Sequence, residues 1–317
     1  MHNAAIIRFF NGKFLPEPRG WRRRNPGVSL LYCFVLVSVC SVAALGGCSI
    51  KQMGVRASLP MMEDGMEAMN RESDLDLARE AMPANLKMLE GMTYSDPDND
   101  ALRIYAAQGF HGYTFAFVES GDPERAKGLY DRCREHAAAA LKPDALRQGY
   151  ESMPLDELQS RLAKSGQSDV PALFWTATCW AKWINLNLDD VESVSQLGRA
   201  AAMMERVLEL DETYFYAGPN IFFGVYYGAR SPMLGGDFTK SEQHFDRARE
   251  LTGGKMLMVD VIEAQFLDRQ RLDQDAFHNR LVSVIDAPDD LLPEATLINL
   301  IAKQQAASLL EQEQEWF

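Results

Sequence analysis

From about Ser73 to the end of the chain, apolar residues recur at spacings of three and four, and no stretch alternates strictly between apolar and polar. That period lines apolar side chains along one stripe of an α-helix and leaves a half-buried strand no face to bury. The pattern predicts an all-α domain over 71–317, built from many antiparallel helices. Start signals punctuate it: Asp122-Pro123 supplies a cap and a first-turn proline, and Thr239 with Glu242 has the spacing of a capping box.

The helices read as pairs. Phe110, Tyr113 and Phe117, then Gly121-Asp122, then Ala126, Tyr130 and Cys133 are similar in spacing to a divergent tetratricopeptide helix–turn–helix unit of about 34 residues. In that reading Gly121 permits the turn, Ala126 lets two helices approach and Tyr130 fills the gap between units. Fainter echoes run through Gly236-Asp237, Ser241, Phe245 and Ala248, through Asp189, Ser193, Leu197 and Ala200, and through Asp273, Phe277 and Leu281. Between Lys142 and Asp169 the regularity breaks at Pro143, Pro154 and Gly166, with one short helix expected from Leu155 to Leu162.

The first 47 residues read differently. Arg22-Arg23-Arg24, the apolar run Leu30 to Leu45, and Leu45-Gly46-Gly47-Cys48 have the parts of a bacterial lipoprotein signal peptide over 1–47. Cys48 is then the lipidated mature N-terminus and residues 48–70 a lipidated start and tether. Multiple acyl chains on one cysteine would hold the chain to a membrane without a span. Ser49 stands where lipoproteins kept in the inner membrane typically resemble one another in carrying Asp. The expected location is the outer membrane, facing the periplasm.

The whole chain carries 32 Lys+Arg against 45 Asp+Glu, a formal charge of −13. Residues 1–47 hold six of the basic residues and one acidic residue, so without them the balance falls to −18. Such a surface repels phosphate backbones, and nucleic acid is not an expected partner. Beyond Cys48, only Cys133 and Cys179 remain. The expectation is two buried, unpaired thiols, a bridge staying open if their helices stack. Met61, Met62, Met66 and Met69 read as a helix face packed on the domain.

The segment Ala172-Leu173-Phe174-Trp175-Thr176-Ala177-Thr178-Cys179-Trp180-Ala181-Lys182-Trp183-Ile184 is followed by Met203-Met204-Glu205-Arg206-Val207-Leu208-Glu209-Leu210-Asp211. With Tyr214-Phe215-Tyr216-Ala217-Gly218-Pro219, Gly224-Val225-Tyr226-Tyr227, Pro232-Met233-Leu234-Gly235-Gly236-Asp237 and His244-Phe245-Asp246-Arg247-Ala248, it resembles the T-component lipoproteins of TRAP (tripartite ATP-independent periplasmic) transporters. The resemblance implies a tetratricopeptide-like accessory protein of an uptake system that engages the periplasmic solute-binding protein. It also implies self-association, as far as a trimer, and a route or pocket for a small hydrophobic ligand. A general envelope scaffold working only through protein contacts is the other reading.

Trp175, Cys179 and Trp183 share one helical face while Leu173, Ala177, Trp180 and Ile184 lie on others, so this helix is apolar nearly all round. It is buried on several sides or lines a cavity. Pro219 suits a helix start, and Gly224 and Gly228 permit close helix contact beside Phe222, Phe223, Tyr226 and Tyr227. Trp175, Trp183, Tyr214, Tyr216, Tyr226 and Tyr227 are the candidate lining of a ligand pocket. Catalytic motifs are missing from the sequence: there is no His-Glu-x-x-His, no Cys-x-x-Cys and no Gly-x-Ser-x-Gly. No enzyme, no cofactor and no metal is expected. His111, His136, His244 and His278 read as surface or capping residues, and Asp96-Pro97-Asp98-Asn99-Asp100 reads as a helix-start loop.

Overall fold

The computed structural model describes residues 50–317; the expected signal peptide over 1–47 and the expected lipidation site Cys48 lie outside the described residues. Among these the structure is helical and holds no strand. The principal helices are α1 (Ile50–Asn70), α2 (Leu75–Ser95), α3 (Asp100–Phe117), α4 (Pro123–Ala139), α5 (Leu155–Leu162) and α6 (Val170–Asn185). They continue as α7 (Leu197–Leu210), α8 (Tyr214–Gly228), α9 (Phe238–Thr252), α10 (Met258–Glu263), α11 (Gln274–Asp286) and α12 (Thr296–Glu311). No helix of the described residues is long and apolar enough to cross a membrane.

Short acidic or amide side chains start many of them. Asp74, Asn99, Asp122, Asp237 and Asp273 each accept a hydrogen bond from a first-turn backbone amide, which satisfies donors that a helix start leaves open. Asp122 bonds Arg125 N at 3.0 Å with Pro123 in the first turn, as its sequence predicts. The capping box at Thr239 does not form. Asp237 caps α9 instead, two residues earlier, and Glu242 is drawn to Arg271 at 3.1 Å. Beside Asp189, Asp190 caps the short helix Val191–Ser195, accepting from the Glu192 and Ser193 amides. Gly121 has no positive φ, so the turn between α3 and α4 does not depend on it.

Packing follows chain order. α3 lies on α4, α4 on α6, α6 on α7, and α8 on α9, while α5 packs on α7. The first core is centred on Phe110, Tyr130, Trp175 and Trp180, each at most 1% exposed. Cys133 and Cys179 are bonded to each other across α4 and α6, with Cα atoms 5.9 Å apart. This corrects the expectation of unpaired thiols: both sit at the middle of a face-to-face helix contact, which the spacing of two lone cysteines does not reveal.

A second core gathers α9 to α12 around Phe245, Val259, Leu267 and Phe277. Gly224 and Gly228 let α8 and α9 close on each other: a Cβ at Gly224 would lie 2.7 Å from the Phe245 ring, and one at Gly228 would lie 2.5 Å from Ser241 Oγ. Past α10 a wide π turn over Ala264–Asp268 turns Asp268 toward Arg280 Nε at 2.8 Å. Burial pushes the Glu263 and Asp268 carboxyls up, and Arg249 and Arg280 supply the compensating charge.

Candidate functional site

Between the two cores lies a cavity of about 670 Å³, a size typical of small-molecule sites, which run to about 300–1,000 Å³. α2, α3, α6, α8 and α12 supply its walls, and α1 lies along one side. Methionine dominates that side: Met61, Met62, Met66 and Met69 from α1 face Met82, Met88 and Met92 from α2, with Met256 and Met258 further on. Unbranched thioether chains adapt to ligands of irregular shape. The opposite wall is aromatic, with Phe115, Phe174, Trp175, Phe215 and Phe222.

Of the six residues singled out from the sequence, Trp175, Tyr216 and Tyr226 line the cavity. Trp175 is 1% exposed and meets the rings of Phe215, Phe174 and His111 at 4.7, 5.0 and 5.3 Å. Trp183, Tyr214 and Tyr227 stand outside it. Arg134 lies 5.4 Å over the Trp183 ring, Tyr214 packs edge-on against Phe174, and Tyr227 stacks on His244 with Lys240 5.2 Å from its ring.

A backbone irregularity shapes the aromatic wall. Phe215, Tyr216 and Ala217 have φ of 47°, 57° and 60°, a left-handed turn at the start of α8. Side chains with a Cβ adopt that conformation at a cost of about 1–2 kcal/mol per residue. The turn sets Phe215 and Tyr216 against the cavity and leaves Pro219 in the first turn of the right-handed helix, in keeping with its expected role. Gly218 follows because a Cβ there would lie 2.5 Å from the Phe174 ring.

The polar residues in the wall carry no recognisable motif. His111, expected at the surface, is on the wall, stacked on Phe115 and tilted against Tyr130 and Trp175. What remains accessible of it faces the cavity. Burial and then the Lys182 charge push its imidazole down to about 3, so it is neutral at physiological pH. Its flanks, Gly109 and Gly112 within the apolar run of α3, are the one sequence signal that marks it as interior. Lys182 donates to Glu119 at 2.8 Å and lies 4.7 Å from the Phe115 ring. Burial raises the Glu119 carboxyl, but Lys182 and the Tyr130 hydroxyl outweigh it and hold that group below the ordinary range.

The charge pattern is one-sided. Among the described residues no carboxylate lines the cavity, and the charged residues that do are Lys182 and Arg230. The exposed residues of the lining are Met61, Gly65, Asn85 and Met88 on α1 and α2, Asn185 and Leu188 at the end of α6, Val194 between α6 and α7, and Ala229 just past the end of α8. Among the described residues no group of three or more His, Cys, Asp or Glu could hold a metal ion. The Asp96–Asp100 loop instead caps α3 through Asn99 and anchors α1, Arg56 Nε donating to Asp96 Oδ2 at 2.7 Å.

An all-helical domain around an apolar, acid-free chamber is the architecture of a binding or accessory component. The chain belongs to the TRAP transporter T-component family, whose model matches residues 71–317. That family is one of transport accessory components and is not a known enzyme family. A protein of Treponema pallidum (strain Nichols) described only as an uncharacterized protein is 22% identical over 325 residues, covering 93% of this chain and 99% of its own length. Residues 50–70, which form α1, lie outside the family match.

Proposed function

We propose that this chain is a lipoprotein, acylated at Cys48 and held at the outer membrane facing the periplasm, that serves a TRAP-type transporter by engaging its solute-binding protein and holding a small apolar ligand. Its family supports a role in TRAP transport. The observation that carries the ligand is the cavity of about 670 Å³ with methionine and aromatic walls. A scaffold acting only by protein contacts has no use for an apolar hollow of this size, because unfilled space forfeits packing energy. The six aromatic candidates divide under this reading: Trp175, Tyr216 and Tyr226 contact ligand, while Trp183, Tyr214 and Tyr227 brace the helices behind them.

The test is co-purification. The acylated chain, expressed with the TRAP solute-binding protein from the same genome, should retain that protein through size-exclusion chromatography. Mass spectrometry should recover Cys48 as a lipid-modified N-terminus. Failure to retain the binding protein at low salt would remove the partner assignment, and an unprocessed leader would remove the anchor. A homo-oligomer, up to the trimer that the resemblance suggests, would be read from the same elution by light scattering.

A further inference from the structure

We propose that the ligand of this cavity is an anionic amphiphile, its apolar tail among the methionines and its carboxylate or phosphate head on Arg230. The inference rests on the apolar-ligand reading above and adds to it a charge and a residue.

Arg230 belongs to the lining just past the end of α8, next in the chain to Ala229, which reaches solvent. Its guanidinium is held in place before any ligand arrives. Nε and Nη2 donate to the carbonyl oxygen of Tyr226 at 3.0 and 2.8 Å, and its central carbon lies 4.1 Å over the Tyr226 ring. Those contacts leave Nη1 and the second hydrogen of Nη2 unused, and a guanidinium offers its donors in a fixed fork that matches carboxylate and phosphate oxygens. Among the described residues no carboxylate forms an ion pair with Arg230. The other cation of the lining differs, because Lys182 already spends its charge on Glu119 at 2.8 Å.

Among the described residues most arginines are paired with a carboxylate; Arg230 is one of three half-buried ones that are not, with Arg103 and Arg199, and of the three it alone lines the cavity. One structural role is evident: just past the end of α8, Arg230 satisfies an open helix carbonyl and sits favourably in the field of the helix C-terminus. That role needs one acceptor and does not explain why acidic side chains are kept out of the entire lining. An incoming anion explains both, since a carboxylate in the wall would repel it and compete for Arg230. The immobilised fork also lowers the entropy lost on binding.

The test compares ligands that differ only in the head. Binding of decanoate, decyl phosphate and decanol to the full processed chain would be measured by calorimetry, with Arg230→Ala and Arg230→Lys as variants. The native chain should prefer at least one anion over decanol by roughly tenfold or more, as a charge-assisted pair to a guanidinium provides. Arg230→Ala should remove that preference by weakening the anion alone, with decanol unchanged, and Arg230→Lys should restore part of it. The two anionic arms separate a fatty-acid-like ligand from a phosphate-headed lipid. Equal binding of decanol and both anions, or a preference that survives Arg230→Ala, overturns the proposal and leaves the apolar-ligand reading standing. No binding of any of the three overturns both. A variant that only loses its helix cap would lower the melting temperature without changing the ratio of anion to alcohol, which also counts against the proposal.

Discussion

The cavity has two walls of different character. α6 buries Val170, Ala172, Leu173, Phe174, Trp175, Thr176, Ala177, Cys179, Trp180 and Ile184, whereas α1, five residues longer, buries none. α6 is a structural member that lends one edge to the cavity. α1 touches the domain through a methionine stripe, carries Pro60 inside the helix, and is fastened at Arg56–Asp96 and Tyr105–Glu63. An interior proline removes one helix hydrogen bond and strains the turn before it. Stability is distributed unevenly across a fold, and elements with few buried contacts open first. The difference assigns rigidity to the aromatic wall and, under the proposed ligand reading, would assign exchange to the methionine wall.

The largest test of that contrast is Trp180→Ala. Trp180 is fully buried and donates from Nε1 to Gln196 Oε1 at 2.9 Å. Its truncation should lower the unfolding free energy by about 3–5 kcal/mol in urea, while Met62→Ala on α1 should cost no more than about 1 kcal/mol. Similar losses for the two variants would erase the distinction between the walls. Next in size is the Cys133–Cys179 link, which closes a loop of 46 residues between α4 and α6. Replacing both cysteines with alanine should cost about 2–4 kcal/mol, and the denatured native chain should show no thiol at these positions to a thiol reagent. Titratable thiols there would return the pair to its unbonded expectation.

Much of the helical scaffold is written in periodicity and caps. The helix Leu155–Leu162, the cap at Asp122 and the close approach at Gly224 and Gly228 all follow from local chemistry. The cavity is less legible, because a residue that lines a void and one that fills a core have the same apolar stripe. So Trp183 and Trp175, two turns apart on one face, part company only when neighbouring helices are placed, and the α1 methionines join the lining for the same reason. The left-handed turn at Phe215–Ala217 has no local signature, since none of its three residues favours positive φ. Tertiary packing imposes it. Arg230 and Lys182 are likewise two ordinary cations in the sequence, separable only by the presence of Glu119 beside one of them.

pH offers a third comparison. His111 in the rigid wall has a folded pKa of about 3 against an ordinary value of 6.5. A depressed pKa contributes stability that is complete above the ordinary value and is lost as pH falls toward the folded one, at up to about 1.4 kcal/mol per pH unit. Between about pH 6.5 and 4 the native chain should therefore lose stability faster than His111→Gln. Parallel curves for the two would mean that His111 already reaches water.

The smallest effect is expected at the methionine wall itself. Arg56→Ala removes the clamp on Asp96, whose carboxyl Arg56 holds below its ordinary range by hydrogen bonding. Global stability should change little, because α1 buries nothing. Hydrogen exchange should discriminate: amides of α1 should exchange several-fold faster in the variant while those of α6 stay as slow as in the native chain. Acid should mimic the substitution. A lowered carboxylate pKa supports the contact above the ordinary aspartate range and ceases to do so as pH falls through the folded value, so α1 of the native chain should loosen at strongly acidic pH and α1 of Arg56→Ala should gain nothing further from this pair. If both helices quicken together, α1 opens only with the whole domain, and the proposed ligand would need another way in than the methionine wall.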